Sequence, residues 1–273
     1  MITTYGPRGN IVDGPRQFEN LIATSVGERS PFIGSSAVPG DFSPYSVAWN
    51  IEVSQRMSRV LTIQAGYLQS YLHDMLLITP TIIQGHDALA LTSGGKSRYR
   101  QVELTTRVSW TKGQQFFFSY VHSCARGDLN EFNNYIGNFP FPIVPPNRFE
   151  DLPSDVPNHF LMWGQTRLPQ RLRLSSVLEY RNGFPYQARD VAQNYVSLNP
   201  AITRFPNFFA LDVSLARDFR LSPKYVLTIT GKAFNLTDHF NALAVHNNTS
   251  DPQFGTFFGT YTRRFRLDFD VNL

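Results

Sequence analysis

The chain offers several residue groups that could do chemistry, and each has a plainer reading beside it. His122 and Cys124 are two apart, a spacing that puts both side chains on one face of a strand where they could share a metal. Cys124 is the single cysteine, and His73, His86, His159, His239 and His246 also sit singly, without the paired spacing of a zinc site. The His122/Cys124 pair therefore reads as a strand running into a loop. Gly94-Gly95-Lys96-Ser97 imitates the end of a phosphate-binding loop, but Ala90 stands where the pattern needs its first glycine and no helix signal follows. Arg126-Gly127-Asp128 spells the adhesion tripeptide, which is short enough to arise by accident. Asp128, Glu131, Glu150, Asp151 and Asp155 fall in one long inter-strand segment and could offer oxygen ligands to Ca²⁺, or serve a solvated loop. Asn235-Leu236-Thr237 and Asn247-Asn248-Thr249 match glycosylation sequons, which carry no meaning in a typical bacterium. No serine, histidine and aspartate order and no carboxylate pair has a catalytic spacing. The expectation is a non-enzyme without cofactor or metal.

The elements that must position these residues are strands. The 273 residues carry 25 Lys+Arg against 21 Asp+Glu, a formal charge of +4, with no basic block that would favour nucleic acid. At 42% hydrophobic and 17% charged the chain is not a disordered one. Helical periodicity is nearly absent and period-two alternation dominates. At the C-terminus Phe265, Leu267, Phe269, Val271 and Leu273 alternate with Arg264, Arg266, Asp268, Asp270 and Asn272, which in a strand makes one greasy face and one charged face. Comparable runs centre on Val47 to Val53, Leu61 to Tyr67, Val102 to Trp110, Phe116 to Tyr120, Phe160 to Thr166, Leu172 to Tyr180, Phe209 to Leu215 and Tyr225 to Ile229. The pattern predicts about nine strands of about 9–13 residues, where about 9–11 suffice to cross a bilayer as a tilted strand.

The connections alternate strictly between short and long. Met57-Ser58-Arg59, Thr111-Lys112-Gly113, Leu168-Pro169-Gln170 and Leu221-Ser222-Pro223 are tight turns. The segments 70–98, 123–158, 181–207 and 235–256 are long loops of a kind uncommon in compact soluble domains. This is the plan of outer-membrane barrels, with short periplasmic turns and long extracellular loops. Tyr45, Trp49, Tyr67, Trp110, Tyr120 and Tyr180 lie near strand ends, where aromatic girdles meet headgroups. Two rivals share the alternation. One is a small surface or adhesive barrel that closes at eight or ten strands. The other is a soluble carbohydrate-binding β-sandwich whose apolar faces clasp one another.

Ala233-Phe234-Asn235-Leu236-Thr237-Asp238-His239-Phe240-Asn241 resembles a segment near the end of TonB-dependent receptor barrels, the Oar-like receptors in particular. Similar pieces are Tyr45-Ser46-Val47-Ala48-Trp49-Asn50, Gly66-Tyr67-Leu68-Gln69-Ser70 and Glu179-Tyr180-Arg181-Asn182-Gly183-Phe184-Pro185-Tyr186. Leu211-Asp212-Val213-Ser214-Leu215-Ala216-Arg217-Asp218-Phe219 and Phe254-Gly255-Thr256 complete the set, in family order. The resemblance implies an all-β fold, an antiparallel up-and-down transmembrane β-barrel of a 22-stranded type in the cell outer membrane, of which this chain supplies a part. Residues 1–44 are then an extracellular loop remnant and 45–273 the C-terminal part of the barrel. It also implies uptake of a siderophore, vitamin, sugar or peptide. Partners are outer-membrane lipid, an unnamed small ligand, and the TonB system only if a plug comes from an N-terminal part. Ligand contacts in this family come from loops and plug apices, which makes Tyr135, Phe139, Phe141 and Tyr195 candidates.

The sequence differs from the family pattern in lacking plug, TonB-contacting box and leader, in a strand count under half of 22, and in ending on Leu273 rather than an aromatic. An open sheet of nine strands does not transport by itself, which is the expectation for this chain.

Overall fold

A computed structural model of the chain describes residues 4–5, 11–13, 43–83, 86–111, 114–132, 144–191, 194–196 and 203–272. Nine long strands follow in sequence. They are β1 Tyr45–Arg56, β2 Leu61–Ile83, β3 His86–Thr111, β4 Gln114–Asp128, β5 Asn158–Leu168, β6 Leu172–Arg181, β7 Phe208–Arg220, β8 Val226–Phe234 and β9 Arg264–Asn272. Each pairs antiparallel with its neighbour in the chain, giving one up-and-down sheet that runs from β1 to β9. Phe149–Asp151 adds a short tenth strand against the outer end of β4.

The register carries one face across the whole sheet. Val53, Ala65, Leu104, Tyr120, Phe160 and Tyr180 follow one another from strand to strand, as do Leu178, Leu211 and, farther along, Leu215 and Leu267 through Gly231. The opposite face carries Glu52, Gln64, Glu103, Ser119, Gln165, Ser175, Ser214, Thr230 and Asp268. The alternation read at the C-terminus holds in space. Phe265, Leu267, Phe269 and Val271 are 72%, 59%, 62% and 62% exposed, while Asp268 on the other face is held by Lys232 (2.8 Å) and Arg266. No second layer covers the apolar face among the described residues, so the sandwich arrangement is not what the chain adopts. Nor is closure: β1 and β9 are the two ends of the sheet and do not pair with one another. The alternation is not perfect. Phe117 stacks on Trp163 (5.6 Å) on the polar face, and Arg217 lies in the apolar rows with its guanidinium 5.1 Å from the Phe219 ring centre.

At one end the turns are tight, and two of them use the same device. The Met57 and Ser58 amides donate to Leu61 O while Ser58 Oγ accepts from the Val60 and Leu61 amides. The Leu221 and Ser222 amides donate to Tyr225 O while Ser222 Oγ accepts from the Lys224 and Tyr225 amides. A serine hydroxyl that mimics a backbone acceptor fixes the reversal in both. A 3₁₀ turn, Pro169–Arg171, joins β5 to β6. The turn expected at Lys112-Gly113 lies outside the described residues.

At the other end the expectation of four loops needs correction. The segment 70–98 is not a loop. β2 and β3 run on as a hairpin of 23 and 26 residues, about 75 Å along the strand, far more than a bilayer requires. Beyond a register shift after Leu72, where Asp74 has φ 54°, this hairpin buries Met75, Leu77 and Ile78 with Leu129 and Asn130 in a small core. The other loops contain short ladders of their own, Ala188–Arg189 with Tyr195–Val196 and Ala242–Val245 with Phe257–Thr260. Of 1–44, the described parts are Ser43, Pro44 and a backbone ladder of Thr4–Tyr5 with Ile11–Asp13.

Candidate functional site

Above β4, β5 and β6 the long connections meet in a cleft of about 270 Å³. Its lining includes Arg126, Arg148, Glu150, Asp151, Tyr186, Tyr195 and Arg204. Arg204 organises it. Its guanidinium bonds Asp151 (2.9 Å), Asp155, the Asp155 carbonyl (3.3 Å) and the Gly183 carbonyl (3.2 Å), so one side chain ties three loop segments. Asp155, which is buried, also accepts from the Ala125 amide (2.7 Å) and thereby pins the loop to the end of β4. Arg126 lies 3.4 Å from Asp151, and Arg148 lies 3.9 Å from Glu150. Arg189 sits over the Tyr195 ring at 5.2 Å. Tyr186 packs edge-on against Phe205 and Phe257, and burial raises its phenol pKa above the ordinary value, keeping it a neutral donor. The chemistry on offer is cationic and aromatic: several guanidiniums, two phenols and carboxylates already engaged with them.

Gly183 permits this packing. A Cβ there would fall 1.8 Å from the Phe205 carbonyl oxygen, a position no side chain can occupy. The segment Asn182 to Tyr186 thus closes on 203–205, with Tyr186 N donating to Thr203 O and Phe205 N to Phe184 O.

The family-like segment from Ala233 to Asn241 does architectural work. Asn235, with φ 48°, donates to His239 O (3.0 Å) and Tyr261 O (2.9 Å) and accepts from the His239 amide. Its own amide reaches Asp212 on β7 (2.8 Å). Asn241 exchanges two bonds with the backbone of Phe209, as a strand residue would. Together the two asparagines weld the exit of β8 to β7 and to the entry of β9. At the rim of the apolar face a second polar chain runs from Tyr120 through Asn158 and Asn182 to Asn207, each link 2.7–3.0 Å.

The other sequence candidates are placed as follows. Tyr195 lines the cleft; Tyr135, Phe139 and Phe141 lie outside the described residues. His122 and Cys124 do share a face, but His122 faces Asn158 (3.1 Å) and no group of three metal-binding side chains exists among the described residues. The five acids do not converge. Asp128 bonds the Lys96 amide (2.7 Å), Asp151 and Asp155 hold Arg204, and Glu150 faces Arg148. Arg126-Gly127-Asp128 is not displayed, since Asp128 is buried and Gly127 is backed by Ser97 and Leu152. Gly94-Gly95-Lys96-Ser97 is a kink within β3, with Gly94 at φ 105°, and opens no helix. Arg204, Arg148 and Tyr186 are cleft residues that the sequence did not single out as ligand contacts. The signal was present in part, because Tyr186 closes the Asn-Gly-Phe-Pro-Tyr piece.

No protein-family profile and no curated protein matches the sequence. Solved structures do match the fold. An outer membrane transporter from Escherichia coli, YddB, superposes with TM-score 0.57 at 16% identity over 85% of this chain and 33% of its own. The FrpB iron transporter from Neisseria meningitidis gives 0.53 at 12% identity over 84% and 31%. The ferric-catecholate import receptor Fiu from E. coli K12 gives 0.51 at 14% identity over 84% and 27%. The chain has the fold of a TonB-dependent receptor barrel segment. It spans about a third of the length of the structures it matches. The apolar rows of the segment correspond to a barrel's outside and the polar rows to its lumen. The cleft lies among the connections at the long-loop end of the sheet, and its Arg126 and Asp151 stand on the side of the apolar rows.

Proposed function

We propose that residues 45–273 form the C-terminal part of the wall of an outer-membrane receptor that takes up a small ligand, and that the chain performs no catalysis. The reading is supported above all by the register. Nine strands keep one continuous apolar face, uncovered by protein, and one polar face. That arrangement is stable only with hydrocarbon on the first side and water or polar protein on the second. The unpaired edges of β1 and β9 accept the remaining strands of the barrel, and residues 1–44 belong to the long-loop side. Coupling to the TonB system requires a plug supplied by another part of the receptor. Of the ligand classes implied by the motifs (siderophore, vitamin, sugar or peptide), the paired arginines and carboxylates and the two phenols suit a polar ligand rich in hydrogen-bonding oxygens. Neighbouring structures are named as a ferric-catecholate import receptor and as a pyoverdine receptor of Pseudomonas aeruginosa, which supports a siderophore among these classes.

The test is fractionation joined to uptake. The chain is expected in the outer-membrane fraction, and energy-dependent accumulation of a ferric chelate is expected only in cells that also make the missing strands and plug. Recovery from detergent-free buffer as a monodisperse protein, or uptake by liposomes holding this chain alone, would overturn the proposal.

A further inference from the structure

The polar face is not polar throughout. One of its rungs runs Arg107, Phe117, Trp163, Val177 across β3 to β6, a width of about 14 Å. Phe117 and Trp163 stack at 5.6 Å and 24°, and Trp163 and Val177 are left 36% and 44% exposed. Past Gln165 and Ser175, about 13 Å nearer the short turns, Arg167 and Arg173 stand directly opposite one another, an arrangement that costs stability when both are charged. Asp218 relieves Arg173 with two bonds of 3.0 and 2.9 Å. Arg107 and Arg167 are exposed and have no acidic partner among the described residues. The nearby acids of this face are engaged elsewhere. Glu103 accepts from Gln101 (3.2 Å) and Ser119 (3.3 Å), Glu179 faces His159 and Arg181, and Asp212 holds the Asn235 amide.

Water against this patch leaves an aromatic pair and an aliphatic side chain uncovered and two guanidiniums uncompensated. Hydrocarbon cannot cover it, because charge on a lipid-facing surface is costly. An apolar centre of Trp and Phe rimmed by arginine is instead the composition of a protein–protein contact. We propose that Arg107, Phe117, Trp163, Val177, Arg167 and Arg173 form a docking surface for a protein segment held inside the barrel, one whose apolar side chains are set among carboxylates. The segment is carried by another part of the receptor, and the inference rests on the reading that the polar rows face the lumen. Its apolar side chains cover Trp163 and Val177. Its carboxylates pair with Arg107 and Arg167 and offset the Arg167–Arg173 repulsion.

The experiment uses the full chain inserted in phosphatidylcholine vesicles. The other two tryptophans, Trp49 and Trp110, lie in the apolar rows, so Trp49→Phe/Trp110→Phe leaves Trp163 as the sole reporter. Brominated acyl chains should quench the wild-type chain and spare Trp163 in that variant, which aqueous acrylamide should quench. A short peptide alternating leucine and glutamate is expected to shift Trp163 emission to the blue and to cut its acrylamide quenching at least about threefold. The matching leucine–lysine and serine–glutamate peptides should do neither. In the same background Arg107→Gln/Arg167→Gln and Val177→Ser should each weaken peptide binding at least about threefold. Arg107→Lys/Arg167→Lys should keep most of it, and Arg217→Gln, which removes one charge from the opposite face, should change nothing. Indifference to the leucine–glutamate peptide, equal shielding by the leucine–lysine peptide, or shielding only by a small ferric catecholate chelate overturns this inference and leaves the membrane reading standing. Brominated chains that quench Trp163 as strongly as Trp49 and Trp110 overturn both.

Discussion

At the scale of single residues, the loop end is held by a few side chains and backbone positions whose replacement has predictable consequences. Gly183→Ala places a methyl inside the Phe205 carbonyl, so the two segments must part. A loss of about 1–3 kcal/mol is expected, confined to the Arg204 layer. Limited proteolysis between residues 183 and 205 should accelerate while the strand signal in circular dichroism stays unchanged; equal protease resistance would contradict the packing. Asp251 gives a pH response of known sign. The Gln253 amide (2.8 Å), then His246 (2.9 Å), hold its carboxyl below the usual carboxylate range. A depressed folded-state pKa adds stability that is present above the ordinary value and vanishes as pH falls through the lower one. The turn 248–256 should therefore keep its amide protection from neutrality down to about pH 4 and lose it below. Asp251→Asn should flatten that dependence, as read by hydrogen exchange corrected for intrinsic rate. The cleft itself was only partly legible. Tyr195 was visible as an aromatic in a long connection, but Arg204 reaches Asp151 and Asp155 across some fifty positions, and no local pattern reports such a contact.

At the scale of elements, strands announced themselves wherever one face is apolar and the other polar, because period two is then written directly into residue type. All nine strands and three of the tight turns are found where alternation and punctuation placed them. The rule failed on the hairpin of β2 and β3, and for a physical reason. Past Tyr67 the outward positions become Gln69, Tyr71 and His73, and after the irregularity at Asp74 the residues Leu77 and Ile78 are both buried, so alternation ceases although the ladder continues. A strand buried on both sides reads as an apolar run. This extension has its own core, with Ile78 and Asn130 each 1% exposed and exchanging backbone and side-chain bonds of 2.9 and 3.0 Å. Ile78→Ala should cost about 2–4 kcal/mol locally. The expected result is protease cutting within 72–97 and 128–131 with the transmembrane ladder intact. Collapse of the whole sheet would mean the extension is not an independent layer.

At the scale of the whole molecule, everything depends on which solvent each face meets. Water on the apolar side would leave Val47, Trp49, Ile51, Val53, Leu267 and Phe269 exposed at once, along with two unpaired strand edges, and such a surface aggregates. Hydrocarbon on that side removes the cost, and charge placed there then becomes expensive in proportion to depth. Leu178 and Ser175 separate these cases cleanly. Both lie on the interior strand β6, three residues apart, Leu178 in the row with Met162 and Leu211, Ser175 in the row with Gln165 and Ser214. In a bilayer Leu178→Arg, one same-face position inside Tyr180, should cost about 1–2 kcal/mol, between the interfacial and midplane values, whereas Ser175→Arg faces the lumen and should change stability by less than about 0.5 kcal/mol. Denaturant titration of the vesicle-inserted chain measures both. In a dry protein core Leu178→Arg would also be costly, so the deciding arm is lipid thickness. Thinner bilayers should shrink the Leu178→Arg penalty and leave Ser175→Arg untouched, and a penalty insensitive to thickness would place protein, not lipid, against that face.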